Sequence, residues 1–300
     1  MTEAFGRIVE VVFERNPLQR KNLEPFLNDA PPVYWERAED FARSITALLH
    51  SKGLGVEYLA DAYMKLCADM LKEQMRFQRT GAYSLANAAQ AYEKVYSLPE
   101  RMAPYMYGLA LSQFLWPNHY AMFDFFLAQS AGLAGVESVL EVGPGHGLYL
   151  AQAARLFPSA SLEALDISPA SLEIAKEASD YFSGPGRCTF RLGNVENLEK
   201  GTFSYVIMGE VLEHLDDPDA ALRGIRAALK PGGRLFLTTC ANCPAIDHVH
   251  LFESVAHIRE ELLNSGFAIV KDIALTSGGL PAEDGMRAEI NYAGILEPAA

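Results

Sequence analysis

The sequence has little of what marks an exported or membrane-bound chain. Only four cysteines occur among its 300 residues: Cys67, Cys188, Cys240 and Cys243. That is too few for a disulfide framework, and only Cys240 and Cys243 are close enough in sequence to suggest a pair. The spacing Cys-Ala-Asn-Cys fits a redox couple or half of a zinc site. Pro244 and Asp247 place it in a loop, however, and reduced, unpaired thiols are the plainer reading. No run approaches the roughly 18 uncharged apolar residues of a membrane span. The first residues, Met-Thr-Glu-Ala-Phe-Gly-Arg, do not form a basic region followed by a clean apolar stretch. Neither a signal peptide nor a membrane partner is expected, and a cytoplasmic location is.

Positive charge is scarce in one half of the chain. Residues 1–130 hold 13 Lys/Arg and 15 Asp/Glu, whereas residues 131–300 hold 12 and 23, so 11 of the 13 excess negative charges lie in the second part. A nucleic-acid backbone would be repelled there, and no nucleic-acid partner is expected. Glycine divides at the same point. The first 130 residues contain 5 of the 23 glycines but 20 of the 31 aromatic residues, both tryptophans included. Two domains follow from this: a helical cap over 1–130 and an α/β core over 131–300.

The first part carries helical periodicity over 34–50, 56–77 and 85–96. After Pro104 the run Tyr105 to Phe126 is apolar on every helical face, interrupted by Pro117. Such a segment is either packed in a core or facing a ligand. Tyr107, Trp116 and His119 are its candidate substrate contacts, since small-molecule sites combine aromatic walls with a few polar groups. The alternative is a packed interdomain helix.

The second part alternates strands and helices. Strands are expected near 138–142, 161–165, 187–192, 203–208, 234–239, 267–275 and 287–296. Helices are expected at 148–157, from Pro169 to about Phe182, at 219–229 and at 254–264. This predicts a Rossmann-like, doubly wound, seven-stranded and mostly parallel sheet preceded by an all-α domain. Ligands of such sheets bind beyond the carboxyl ends of the strands. Gly143-Pro-Gly145-His-Gly147, Asp166, Asn194 and Met208-Gly209-Glu210 all fall at those ends. The loop is G-x-G-x-G rather than G-x-G-x-x-G, and Glu141 precedes it. A carboxylate there would repel a pyrophosphate and suit a cation.

These pieces, with Glu210-Val-Leu-Glu-His-Leu215 and Leu229-Lys-Pro-Gly-Gly-Arg-Leu-Phe-Leu237, resemble the class I S-adenosylmethionine-dependent methyltransferases over about residues 137–296. The resemblance implies S-adenosylmethionine as cofactor and S-adenosylhomocysteine as product. It also implies residue roles. Gly143 and Gly145 would approach the methionyl part, with Glu141 near its amino group, and Asp166 would accept from the ribose hydroxyls. Ile167 would pack on the adenine. Asn194 would take the place where an Asp often binds the adenine amino group, and Val195 would offer a backbone N–H. Met208 and Gly209 would line the sulfonium side. No Asn/Asp-Pro-Pro-Tyr/Phe tetrapeptide of amino-methylating enzymes follows the fourth strand.

The expected activity is methyl transfer to a small-molecule acceptor held between cap and sheet. A cofactor-binding protein with non-methylating chemistry, such as a decarboxylase or cyclase, or with a regulatory role, is the alternative. The candidate assembly is a homodimer through the helical domain. His248 and His250, with Asp247 beside them, are the candidate general bases, and His214 is a weaker one. The same groups are also metal ligands, or a structural pair that closes the loop onto the cap. Metal-dependent members of the superfamily use other positions, so no metal is expected.

Overall fold

A computed structural model describes residues 3–276, 278 and 288–299. The first part is helical throughout: α1 (Glu3–Arg15), α2 (Pro17–Asp29), α3 (Pro32–Ser51), α4 (Val56–Thr80), α5 (Ala88–Ala91), α6 (Pro99–Leu115) and α7 (Pro117–Ser130). Two of these, α1 and α2, lie outside the segments whose periodicity predicts a helix. In α1 the residues Phe5, Ile8, Val9 and Val12 form a fully buried stripe at helical spacing. The Asn16 side chain caps α2 by accepting from Leu18 N–H at 3.0 Å. The helix expected over 85–96 is shorter. Asn87 caps Gln90 N–H at 3.0 Å, and after α5 the chain continues as a π-helical turn, Tyr92–Tyr96. α6 starts at Pro99 and runs through Pro104.

The α/β part contains β1 (Ser138–Val142), α8 (Leu148–Leu156), β2 (Ser161–Asp166), α9 (Pro169–Ser183), β3 (Cys188–Leu192) and β4 (Phe203–Gly209). It continues with α10 (Pro218–Ala228), β5 (Leu229–Ala241), α11 (Val255–Asn264), β6 (Phe267–Thr276) and β7 (Ile290–Pro298). The start expected for the last strand, Arg287, lies outside the described residues. The sheet order is β3-β2-β1-β4-β5-β7-β6, with β7 antiparallel to both neighbours and the other pairs parallel. The Lys-Pro-Gly-Gly turn bulges out at the start of β5. Phe203 pairs with Leu229 and Tyr205 with Arg234.

Alternation along the strands divides the core. On β4, Val206 and Met208 face a cluster with Ala221, Leu222 and Ile225 of α10 and Ile258 and Leu262 of α11. Tyr205 and Ile207 face the opposite cluster, which contains α8, α9 and most of the apolar residues of α1, α3, α4, α6 and α7. There α7 takes the place of a covering helix. The Phe126 ring lies 4.9 Å from Phe236 of β5 and 4.9 Å from Tyr149 of α8. The helical part and the sheet therefore share one hydrophobic interior, and the carboxyl ends of β1, β2 and β4 open under α4 and α6.

Candidate active site

A cavity of about 750 Å³ lies between those strand ends and the helices above. The turn after β1 forms one wall. Gly143 N–H donates to Leu165 O at 2.8 Å and Gly147 N–H to Pro144 O at 2.7 Å. Gly147 has φ +73°, and a Cβ there would meet the Ala175 carbonyl oxygen at 3.0 Å, so glycine lets α8 approach α9. A Cβ on Gly145 would lie 3.2 Å from Met106 Sδ, which places α6 directly over the loop.

The residues present fit S-adenosylmethionine. Glu141 is 2 % exposed and its Oε2 has no partner, although burial drives its pKa well up. Glu141 lies at the cavity wall, and a buried carboxyl with an unpaired acceptor is complementary to an ammonium group. Asp166 is half-buried, and the desolvation at the cavity wall raises its pKa. Its Oδ1 accepts from Ser168 N–H at 2.8 Å and its Oδ2 from Ser171 Oγ at 2.6 Å, so the start of α9 fixes both oxygens at the cavity wall. Ile167 is 47 % exposed, an apolar side chain open to the same space. Asn194 Oδ1 accepts from Glu196 N–H at 3.2 Å, which ties its oxygen into the local turn and leaves its amide N–H groups to the cavity. Val195 and Gly209 also line the space, and a Cβ on Gly209 would press on Tyr149 at 3.1 Å.

Three expected contacts fall elsewhere. Met208 is fully buried on the opposite face of β4, as strand alternation from Gly209 requires. Tyr107 packs edge-on against Tyr58 of α4, ring centroids 5.8 Å apart. The cavity-facing residues of α6 are Met102, Tyr105, Met106, Leu109 and Gln113, and Tyr107 lies on another face of that helix. His250 turns toward Phe252 and His257, with its Nε2 enclosed and unpartnered. Trp116 and His119 do reach the cavity.

Behind the loop after β5 lies a buried polar cluster. Asp247 accepts from Tyr96 Oη and Tyr105 Oη, both at 3.0 Å. His214 Nδ1 lies 3.1 Å from the Asp247 carbonyl oxygen. His248 Nδ1 donates to Cys243 O at 2.6 Å, and burial holds the ring neutral with a pKa of about 3. Glu213, 0 % exposed, accepts from Thr239 Oγ1 at 2.7 Å, and burial raises its pKa to about 7. Glu213, Cys240 and His248 offer ligand atoms within 4.8 Å of one another, as do His214, Asp247 and His248. Several of these side chains already hold bonds within the protein, Asp247 to the cap, His248 to Cys243 O and Glu213 to Thr239. The signal for Asp247 is present in Asp-His-Val-His, but its partners Tyr96 and Tyr105 lie some 140 to 150 residues away and no local pattern announces them.

Residues 140–235 match the family described as a methyltransferase domain. The ubiquinone biosynthesis O-methyltransferase of Xanthomonas euvesicatoria pv. vesicatoria is 39% identical over 116 residues, 38% of this chain and 46% of that protein. Its counterpart in Xanthomonas oryzae pv. oryzae is 36% identical over 123 residues, 40% and 49%. The match thus spans about half the length of these curated relatives. Among solved structures, the mitomycin 7-O-methyltransferase MmcR has a TM-score of 0.54 at 15% identity, covering 81% of this chain and 70% of its own. Phosphoethanolamine N-methyltransferase 2 of Haemonchus contortus, solved with S-adenosylmethionine, has 0.54 at 14% identity, covering 72% and 61%. The α/β half thus carries a match to a methyltransferase domain over residues 140–235 and shares the fold of these solved methyltransferases.

Proposed function

We propose that this protein transfers a methyl group from S-adenosylmethionine to a neutral small-molecule acceptor held between α4, α6 and α7 and the carboxyl ends of the strands. One observation carries the reading of the acceptor. Among the described residues that line the cavity there is no lysine and no arginine, whereas Glu141, Asp166, Glu210, Asp247 and Glu289 are present. A carboxylate or phosphate acceptor would meet no lysine or arginine counter-charge from these residues. The wall on the cap side is apolar, with Met64, Met70, Met106, Leu109, Trp116 and Met122, and suits a ring or an alkyl chain.

The cofactor would supply an electrophilic methyl group on a sulfonium. The chain would hold it with Glu141, Gly143, Gly145, Asp166, Ile167, Asn194, Val195 and Gly209, while the cap excludes water and orients the acceptor. His248 stays the β5-loop candidate for a proton acceptor, since its Nδ1 is committed to Cys243 O and the ring lines the cavity. The O-methyltransferase names of the sequence relatives support an oxygen acceptor. The test is product analysis. Incubation with S-adenosylmethionine and a panel of neutral phenols should yield S-adenosylhomocysteine and a methylated phenol in equal amounts. Binding of S-adenosylhomocysteine with no methylated product from any neutral acceptor would favour non-methylating chemistry.

A further inference from the structure

His119 and His146 reach the cavity from opposite parents, one from the first turn of α7 and one from the glycine loop. Their hydrogen bonds are compatible with opposite tautomers. Ser112 Oγ donates its single proton to Leu109 O at 2.8 Å. With that proton on Leu109 O, His119 Nδ1, 3.0 Å from Ser112 Oγ, is the donor, which leaves a lone pair on Nε2. At His146 the order is reversed. Leu148 N–H donates to Nδ1 at 3.2 Å, so in the neutral ring Nε2 carries the proton. Neither Nε2 has a partner among the described residues, and neither is sealed from the cavity. Burial lowers the pKa of His119 to about 3, with repulsion from a charged His146 as a second cause, and that of His146 to about 4. Both rings are neutral at neutral pH, and they lie near enough to sense each other's charge.

The rest of the wall keeps the pair in place. Trp116 stands edge-on to His119, ring centroids 4.7 Å apart, and its Nε1 donates to Tyr63 Oη at 2.9 Å. Gln113 Nε2 donates to the His119 carbonyl oxygen at 2.5 Å, which fixes the backbone there. We propose that His119 and His146 form a neutral acceptor–donor pair that recognises the edge of a neutral ligand carrying an O–H or N–H group beside an acceptor oxygen. The inference rests on the proposed small-molecule reading and narrows the ligand class. His119 accepts from the ligand's donor, and His146 donates to its oxygen.

The probes are 2-quinolone, a lactam with N–H beside C=O, and N-methyl-2-quinolone, which lacks the donor. Trp35 packs on Phe5 and Tyr34, so a Trp35→Phe protein reports fluorescence from Trp116 alone. In that background 2-quinolone should bind about tenfold more tightly than its N-methyl form, the scale of one hydrogen bond whose buried partner is otherwise unpaired. His119→Leu should bring the ratio to about one, and His119→Gln, which keeps an acceptor, should restore part of it. His146→Leu should weaken both quinolones alike, since both keep the carbonyl. Equal affinities in the parent, no binding of either probe, or an undiminished preference in His119→Leu overturns the pair. S-adenosylhomocysteine binding, measured by calorimetry on the same proteins, separates the two readings. Its absence in the parent defeats the proposed function, whereas its presence beside a flat quinolone ratio defeats only this inference.

Discussion

At the scale of single residues, the cavity contains carboxyls that folding alone does not satisfy. Glu141 has an unpartnered buried oxygen, and burial raises its pKa. Glutamine there should leave the ligand-free protein as stable or more stable at pH 8. It should weaken S-adenosylhomocysteine roughly 10- to 100-fold, because a charge-assisted bond contributes about 1.5–3 kcal/mol. Calorimetry showing unchanged affinity in folded Glu141→Gln would remove Glu141 from the amino end of the cofactor. Glu213 makes a pH statement. Its pKa rises from 4.5 unfolded to about 7 folded, so the folded state binds the extra proton in that window. Its contribution to stability is full below pH 4.5 and is lost as pH climbs through about 7, by a few kcal/mol (roughly 1.4 per pKa unit). Denaturant midpoints at pH 5, 6, 7 and 8 should fall in the ligand-free protein and fall less in Glu213→Gln; parallel curves would contradict this. The residues at the strand ends were legible because each sits where a strand must stop, in a pattern fixed by local backbone needs. Glu213 was read only as part of a motif, since its environment comes from Thr239 on the neighbouring strand.

Among the elements, the contact between the cap and the β5 loop runs through one carboxylate. Tyr96 ends the π turn and Tyr105 lies on α6, and both donate to Asp247, 1 % exposed. Burial and the nearby carboxylate push both phenol pKa values well up, so both stay protonated donors. Tyr105→Phe should cost about 1.5–3 kcal/mol, the range of a hydrogen bond to a charged group, and the double change with Tyr96→Phe should cost more. Asp247→Asn in the double background should recover part of the loss, since the uncompensated charge is then gone. Chemical denaturation of the four proteins measures this, and near-zero losses would show that Asp247 finds other partners. The helices of this contact were legible from periodicity, but their facing was not. Tyr105 and Tyr107 lie two residues apart on an all-apolar helix, and only packing against α4 sends one to Asp247 and the other to Tyr58. On β4 the two-residue period would have sent Met208 away from Gly209, so that placement followed from the strand itself.

The whole molecule shows why the boundary near residue 130, clear in composition, is not a boundary in packing. Phe125 and Phe126 of α7 rest on Phe236, and Phe41 of α3 stacks on Phe182 of α9 at 6.0 Å. A fragment 131–300 would expose that face of the sheet, and it should unfold non-cooperatively or aggregate where the full chain melts in one step. A sharp, reversible transition of the fragment would show an independent domain. The charge balance of −11 over residues 131–300 gains its functional meaning at this scale, because among the described residues five acids of this part reach the cavity and no lysine or arginine does. Arg155 pairs with Asp40, Arg191 with Glu163 and Arg259 with Asp272, all at 2.5–2.8 Å and outside the cavity lining. An acceptor carrying a carboxylate would lose its hydration beside Glu210 and Asp247 with no cation in return. For matched pairs, such as a phenol ester and the corresponding free acid, kcat/KM should favour the neutral member by at least about tenfold at pH 7.5, a difference of roughly 1.4 kcal/mol. The preference should shrink as pH falls and the acid protonates. A free acid used as well as its ester would mean that a cation reaches the acceptor after all, and the reading of a neutral substrate would fall.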